Sequence, residues 1–159
     1  MPKRLQTRDP SFEAAFVAFL GEKREASDDV GTAVAAILAD AFAELPGKLE
    51  LVEASPVATV GPDGQAAAVG HGRNLHLTVR ADAPVQLLFT GHMDTVFGAD
   101  HVVQRTSWLE DGVLNGPGVA DMKGGLAVML AALKAVEASE ASDGIGYEVV
   151  INSDEEVGS

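Results

Sequence analysis

The sequence predicts an α/β domain built on a mixed, largely parallel sheet that is flanked by helices. Two segments, 85–89 and 147–151, have the length and the nearly continuous hydrophobicity of buried strands. Between them, residues 122–136 carry apolar side chains at helical spacing. A strand, a crossover helix and a second strand are typical of such a sheet, and active sites collect at the carboxyl ends of its strands.

The beginning of the chain predicts two helices. Residues 11–20 have a helical apolar pattern with Ser11 as a plausible N-cap. A second, alanine-rich helix is expected over about 28–45, closed by Pro46 and Gly47.

Turn chemistry predicts further strands after these helices. Extended backbone is expected from residues 49–52. The segments 57–60 and 65–70 flank a Gly-Pro-Asp-Gly turn and are expected to form a hairpin. Residues 75–79 alternate between apolar and polar side chains, as a half-buried strand does.

The composition excludes several classes of protein. The chain has 159 residues, enough for one domain, and its 11 basic and 24 acidic residues give a net charge of −13. This charge argues against nucleic acid and anionic membranes as partners, and an acidic solvated surface is its ordinary explanation. There is no cysteine, so any metal ion has to be held by His, Asp and Glu.

The sequence also predicts a cytoplasmic location. No apolar run approaches the length that spans a bilayer. The first residues would make a poor signal peptide, because Asp9, Pro10 and Glu13 interrupt the apolar stretch.

The first cluster of candidate site residues follows the strand at 85–89. His92 and Asp94 are two residues apart, so on extended backbone they point the same way. A carboxylate beside an imidazole can fix its tautomer and make it a better metal ligand. A purely structural hydrogen-bonded pair is the alternative.

Two more acidic clusters border the central helix and the last strand. Asp121 lies in the glycine-rich segment 115–125, either as a helix N-cap or because the backbone packs closely around a ligand. Asp154, Glu155 and Glu156 belong to the segment 152–159, which directly follows the strand at 147–151. They form either a solvated acidic turn or a pair of glutamates in which one binds a metal and the other accepts a proton.

Taken together, the clusters predict one metal site at one edge of the sheet. His92, Asp121 and Glu156 are ligands of the kind that zinc accepts where cysteine is absent. Asp94 then fits as the residue that orients His92, and Glu155 as the general base.

The clusters lie in three longer segments, LLFTGHMDTVF, LNGPGVADMKGGLAVMLAAL and VVINSDEEVGS. These segments resemble, in the same order, those of the two-zinc carboxypeptidases and deacylases, the family of glutamate carboxypeptidase, acetylornithine deacetylase, succinyl-diaminopimelate desuccinylase and aminoacylase. HMDTV, GPGVADMKGG and NSDEEVGS are most similar to the glutamate carboxypeptidase branch. The resemblance covers roughly the second half of the chain and implies a zinc-exopeptidase-like catalytic domain.

The resemblance also implies a role for each site residue. His92 would bind one zinc ion and Asp94 would steady it, Asp121 would bridge two zinc ions, and Glu156 would bind the second. Glu155 would take a proton from the attacking water and return it to the leaving amine. The implied cofactor is two zinc ions per complete site, with cobalt or manganese as possible substitutes. The implied reaction is hydrolysis of an amide bond in a small peptide or N-acyl amino acid.

Three further expectations follow from the resemblance. A cis peptide bond is expected between Asp121 and Met122. Residues 1–159 would be the N-terminal portion of a catalytic domain, without its C-terminal part and without the lid or dimerisation domain. Such a truncated chain is expected to have little activity and to self-associate, or to form a homodimer, through an open sheet edge. The alternative is a catalytically dead α/β binding or structural module derived from the family.

Overall fold

The computed structural model describes residues 30–157, apart from residues 56, 70, 71, 99, 100, 103 and 104. The helix expected over 11–20 and the start of the one expected over 28–45 lie outside the described residues. The elements are, in chain order, α1 (Val30–Phe42), β1 (Lys48–Glu53), β2 (Val57–Val60), β3 (Ala66–Val69), β4 (Arg73–Val79), β5 (Val85–His92), β6 (Ser107–Trp108), β7 (Leu114–Asn115), α2 (Gly124–Glu137) and β8 (Ile145–Asn152).

Four strands form the main sheet, in the order β1-β4-β8-β5. β4 pairs antiparallel with both β1 and β8, and β5 pairs parallel with β8. The predicted mixed α/β class is confirmed, but the sheet is less parallel than the sequence predicted. Two parallel strands need a long crossover connection between them. Among the described residues, β5 and β8 are the one parallel pair, and the segment that contains α2 connects them.

One face of the sheet carries the hydrophobic core. Alternate residues of β4 and β8 lie opposite each other, as Leu77 and Val149 do, and both helices cover this face. α1 contributes Leu38 and Phe42 to the core, and α2 contributes Leu126. The strand residues buried here are Leu75, Leu77, Val79, Tyr147, Val149 and Ile151.

The position of β5 differs from the prediction. Its continuous hydrophobicity predicted a strand in the middle of a sheet, buried on both faces. Within the described sheet it is an edge strand, and Leu88 is 64% exposed. Apolar residues indicate that a strand tends to be covered, but they do not specify which neighbour covers it.

The hairpin predicted from turn chemistry is confirmed. β2 and β3 pair antiparallel, and the turn closes with the Gly64 amide donating to the Gly61 carbonyl over 2.9 Å. Gly64 has φ = +78°, a conformation that glycine adopts without steric cost. Among the described residues, no helix is long and apolar enough to cross a membrane.

Candidate metal centre

The ends of two strands bring the first and third clusters together. β5 and β8 run parallel and pair up to His92 and Asn152, so both chains leave the sheet at the same level. The ladder continues for one more bond, in which the Met93 amide donates to the Asn152 carbonyl over 2.9 Å. Asp94 and the Glu155–Val157 turn therefore start from a fixed relative position.

His92 lies between two carboxylates. It is 7% exposed, and its Nδ1 lies 3.1 Å from Asp94 Oδ1 while its Nε2 lies 3.2 Å from Asp121 Oδ1. Asp121 is on the open side of this contact, with a side chain that is 77% exposed. The structure thus joins the strand-end pair to the aspartate of the glycine-rich segment.

A neutral imidazole cannot satisfy both carboxylates, because it carries a single N–H. With the proton on Nδ1, His92 donates to Asp94, and its Nε2 lone pair faces an Asp121 oxygen. Burial acts to lower the pKa of His92, but the hydrogen bonds to Asp121 and Asp94 outweigh it and the pKa is raised. A proton or a metal cation between Nε2 and Asp121 resolves the repulsion.

The spacing fits a zinc ion as the group between them. Two ligands of a tetrahedral zinc, each about 2.0–2.1 Å from the ion, lie about 3.3 Å apart. His92 Nε2 and Asp121 Oδ1 are 3.2 Å apart. Imidazole and carboxylate are also the ligand types that zinc accepts. The residues present therefore fit the metal.

Asp94 connects two parts of the site. Its Oδ1 faces His92, and its Oδ2 accepts the backbone N–H of Glu156 over 2.8 Å. One carboxylate thus holds both the imidazole and the turn that carries the glutamates.

The third cluster is not a fully solvated acidic turn. Asp154 is 5% exposed and Glu156 is half-buried, whereas Glu155 is exposed. His92, Glu155 and Glu156 each have a potential ligand atom that lies within 4.8 Å of such an atom of the other two residues. Both glutamates therefore reach the histidine, and Asp121 joins the group through its contact with Nε2.

The glycine-rich segment packs closely, as its composition suggested. Gly118 has φ = +67°, and a Cβ there would lie 2.5 Å from Thr95 Cγ2. Lys123 closes the loop, since its Nζ donates to the Pro117 carbonyl over 3.0 Å and its amide to the Gly118 carbonyl over 2.9 Å. This packing ties the segment to the loop that follows Asp94.

The alternative in which Asp121 caps the helix is wrong. The N-cap of α2 is Lys123, with no side-chain capping hydrogen bond, and Asp121 has extended backbone angles of φ −127° and ψ 102°. The peptide bond between Asp121 and Met122 is cis, as the resemblance implied.

Sequence reasoning missed three residues that contact the site. The Met122 sulfur accepts the backbone N–H of His92 over 3.3 Å. Asn74 and Ser153 bond to each other at the exit of β8. No local motif marks these contacts, because the partners are 30 and 79 positions apart in the sequence.

Parts of the chain are similar to known sequences. Residues 88–159 match Peptidase family M20/M25/M40. Succinyl-diaminopimelate desuccinylase 2 of Shewanella loihica is 39% identical over 79 residues, which are 47% of this chain and 21% of that protein. Carboxypeptidase G2 of a Pseudomonas species is 35% identical over 88 residues, which are 55% of this chain and 21% of that protein. The matches span about a fifth of these relatives.

Solved structures show the same fold. Human carnosine dipeptidase 1 has a TM-score of 0.69 at 19% identity, covering 94% of this chain and 33% of that one. An M20 family metallo-carboxypeptidase from Sulfolobus solfataricus has a TM-score of 0.66 at 18% identity, covering 92% and 31%. This chain therefore shares its fold with part of each of these two peptidases. The match of residues 88–159 to peptidase family M20/M25/M40 confirms the resemblance predicted from the motifs.

A second similarity concerns a different class of protein. Histidinol dehydrogenase of Ruegeria pomeroyi is 58% identical over 40 residues, which are 25% of this chain and 9% of that protein. The same enzyme of Cereibacter sphaeroides is 46% identical over 63 residues, which are 35% and 14%. The match covers a small part of these dehydrogenases and does not carry their activity to this chain.

Proposed function

We propose that this chain is part of a zinc-dependent hydrolase that cleaves an amide bond in a small peptide or an N-acyl amino acid. The observation that carries the proposal is the 3.2 Å contact between the buried His92 Nε2 and Asp121 Oδ1, beside two glutamates that reach the same histidine. The names of the relatives, a desuccinylase and a carboxypeptidase, support this substrate class.

His92, Asp121 and Glu156 are the proposed zinc ligands. The half-buried position of Glu156 and the hydrogen bond from its backbone to Asp94 support a fixed, ligating role. When bound, zinc would polarise the substrate carbonyl and lower the pKa of the attacking water, and cobalt or manganese could replace it.

Asp94 and Glu155 then complete the reaction. Asp94 accepts a hydrogen bond from the Nδ1–H of His92, which keeps the proton on Nδ1 and leaves the Nε2 lone pair available for a metal. Glu155 is exposed, and one of its carboxylate oxygens lies within 4.8 Å of ligand atoms of His92 and Glu156, where it can take a proton from water and deliver it to the departing amine.

The described residues supply only part of a two-zinc site. With Asp121 shared, one ion would have His92 and Asp121, and the other Asp121 and Glu156. A catalytic zinc usually has three protein ligands. We therefore expect the 159-residue chain to bind zinc and to hydrolyse amides slowly or not at all.

A second copy of the chain is the proposed partner at the open edge of the sheet. β5 is the outer strand of the described sheet, Leu88 is 64% exposed, and the strand has no charged residue before His92. Such an edge favours pairing with another strand. Light scattering should show a dimer or larger species that Leu88→Lys reduces, and a monodisperse wild-type monomer would contradict this. The cytoplasmic location stays a prediction.

The experiment that tests the function separates the two glutamates. Glu155→Gln and Glu156→Gln are titrated with Co²⁺, whose visible spectrum reports its coordination, and hydrolysis of dipeptides and N-acyl amino acids is measured in parallel. Glu156→Gln should bind cobalt at least about tenfold more weakly. Glu155→Gln should bind as the wild type does, and any residual hydrolysis should disappear.

The exposed Glu140, which lies beyond the end of α2, provides the matched control in Glu140→Gln. This variant should bind cobalt as the wild type does. A correctly folded wild-type chain that binds neither zinc nor cobalt would contradict the proposal and favour the non-catalytic module. Equal loss of binding in both site variants would make Glu155 a ligand rather than a base.

A further inference from the structure

The exit of β8 is held by a side chain from a neighbouring strand. β8 ends at Asn152, and the next backbone amide, that of Ser153, donates to Asn74 Oδ1 over 3.0 Å. The Ser153 hydroxyl donates to the Gly72 carbonyl over 2.8 Å. Both acceptors lie at or just before the beginning of β4.

This arrangement follows from the direction of the strands. β4 runs antiparallel to β8, so the start of β4 lies at the edge where β8 ends, with Leu75 opposite Ile151. The Ser153 amide lies beyond the last residue of the strand and takes a side-chain acceptor on Asn74. On the other side of β8, the Met93 amide still donates to the Asn152 carbonyl.

The glutamate-bearing turn is therefore fixed at both ends. Asn74 holds its first residue, Ser153, and Asp94 holds the amide of Glu156 three residues later. A change in backbone direction at Ser153 would swing both glutamates away from His92. Both holding contacts are also half-buried, which limits competition from water.

We propose that Asn74 is a positioning residue that fixes the exit of β8 so that Glu155 and Glu156 reach the metal site. In this role Asn74 is not a metal ligand and acts through the backbone of Ser153. The proposal rests on the proposed function for its effect on metal binding. Its effect on the turn is independent of any metal.

The test compares three variants of the whole chain. Asn74→Ala removes the acceptor, Asn74→Asp retains an acceptor oxygen, and Thr78→Ala alters another half-buried polar residue of the same strand. Each variant is titrated with Co²⁺, and amide exchange and amide chemical shifts are measured by NMR without metal. Circular dichroism confirms that each variant is folded.

Asn74→Ala should bind cobalt about tenfold to a hundredfold more weakly, the range found when a residue that supports a ligand is lost. It should also speed amide exchange at Ser153 and shift the amide signals of Glu155 and Glu156. Asn74→Asp should restore slow exchange at Ser153, and Thr78→Ala should match the wild type in both measurements.

Two results would overturn the proposal. One is wild-type cobalt affinity in Asn74→Ala. The other is unchanged Glu155 and Glu156 signals in that variant. If the wild-type chain binds no metal, the proposed function fails, and the NMR signals still decide whether Asn74 positions the turn.

Discussion

The two ends of β8 carry contrasting groups of charges. At its start, Arg80 donates from Nη1 to Glu137 Oε2 over 3.0 Å and from Nε to the Ile145 carbonyl over 2.7 Å. Its Nη2 also bonds to Glu137, and the Tyr147 hydroxyl donates to the same carboxylate over 2.9 Å. This half-buried group contains one positive and one negative charge and satisfies both.

At the other end of β8, the unbalanced end, carboxylates outnumber positive charges among the contacts named above. Asp94, Asp121, Glu155 and Glu156 surround a single imidazole, which can neutralise at most one carboxylate. A balanced group needs nothing further and stabilises the fold. In the proposed function, a bound metal ion offsets this excess of carboxylates.

The largest expected effect is on metal affinity at the unbalanced end. His92→Ala removes a ligand, and we expect zinc to bind more than about 100-fold more weakly, since loss of a supporting residue alone costs 10–100-fold. Isothermal titration of the metal-free chain measures this loss. If the variant binds zinc within a factor of about two of the wild-type affinity, the unbalanced end of β8 does not hold zinc through His92.

The next effect is on stability at the balanced end. Glu137→Gln keeps the shape of the side chain and removes its charge, so Arg80 loses a charged partner. We expect the free energy of unfolding to fall by about 2 kcal/mol, as for hydrogen bonds to charged groups, with zinc affinity unchanged. Urea unfolding with EDTA present measures the first quantity. Loss of zinc binding in this variant would show that the two ends are not independent.

The stabilisation by Glu137 should also depend on pH. The hydrogen bond from Arg80 lowers the pKa of Glu137 below its ordinary value of 4.5, although burial opposes the shift. A carboxyl with a lowered pKa stabilises the fold above its ordinary pKa and loses this contribution as the pH falls through the lowered value. The difference in stability between wild type and Glu137→Gln should be constant above pH 4.5 and shrink below it. A difference that grows with acidity would contradict this sign.

The smallest effect is expected from Tyr147→Phe. The hydroxyl makes one hydrogen bond to Glu137, while the ring stays in the core against Phe89. Removing it should lower the free energy of unfolding by about 1 kcal/mol. A stability equal to that of the wild type would show that the ion pair with Arg80 satisfies Glu137 without the hydroxyl.

The sequence predicts the unbalanced end better than the balanced one. His92 and Asp94 follow a strand at a two-residue spacing, and Glu155 and Glu156 follow another, so local patterns and strand ends indicate one site. Arg80 and Glu137 are 57 positions apart, and Asn74 and Ser153 are 79 apart. Such pairs appear only once the strand order and register are known.

The position of β5 also could not be predicted. Its apolar residues indicated a buried strand, whereas Leu88 is exposed at the edge of the described sheet. The resemblance already assigned different roles to Glu155 and Glu156, but their difference in exposure and the bond from the Glu156 amide to Asp94 could not be predicted from the residue types.

The most direct test of the central claim is a zinc titration of the metal-free chain together with Asp121→Ala and Glu156→Ala. The assembled site predicts saturable binding of at least one zinc ion per wild-type chain, weakened in both variants and unchanged in Glu140→Gln. A folded wild-type chain that binds no zinc, or variants that bind it as tightly as the wild type, would contradict the account.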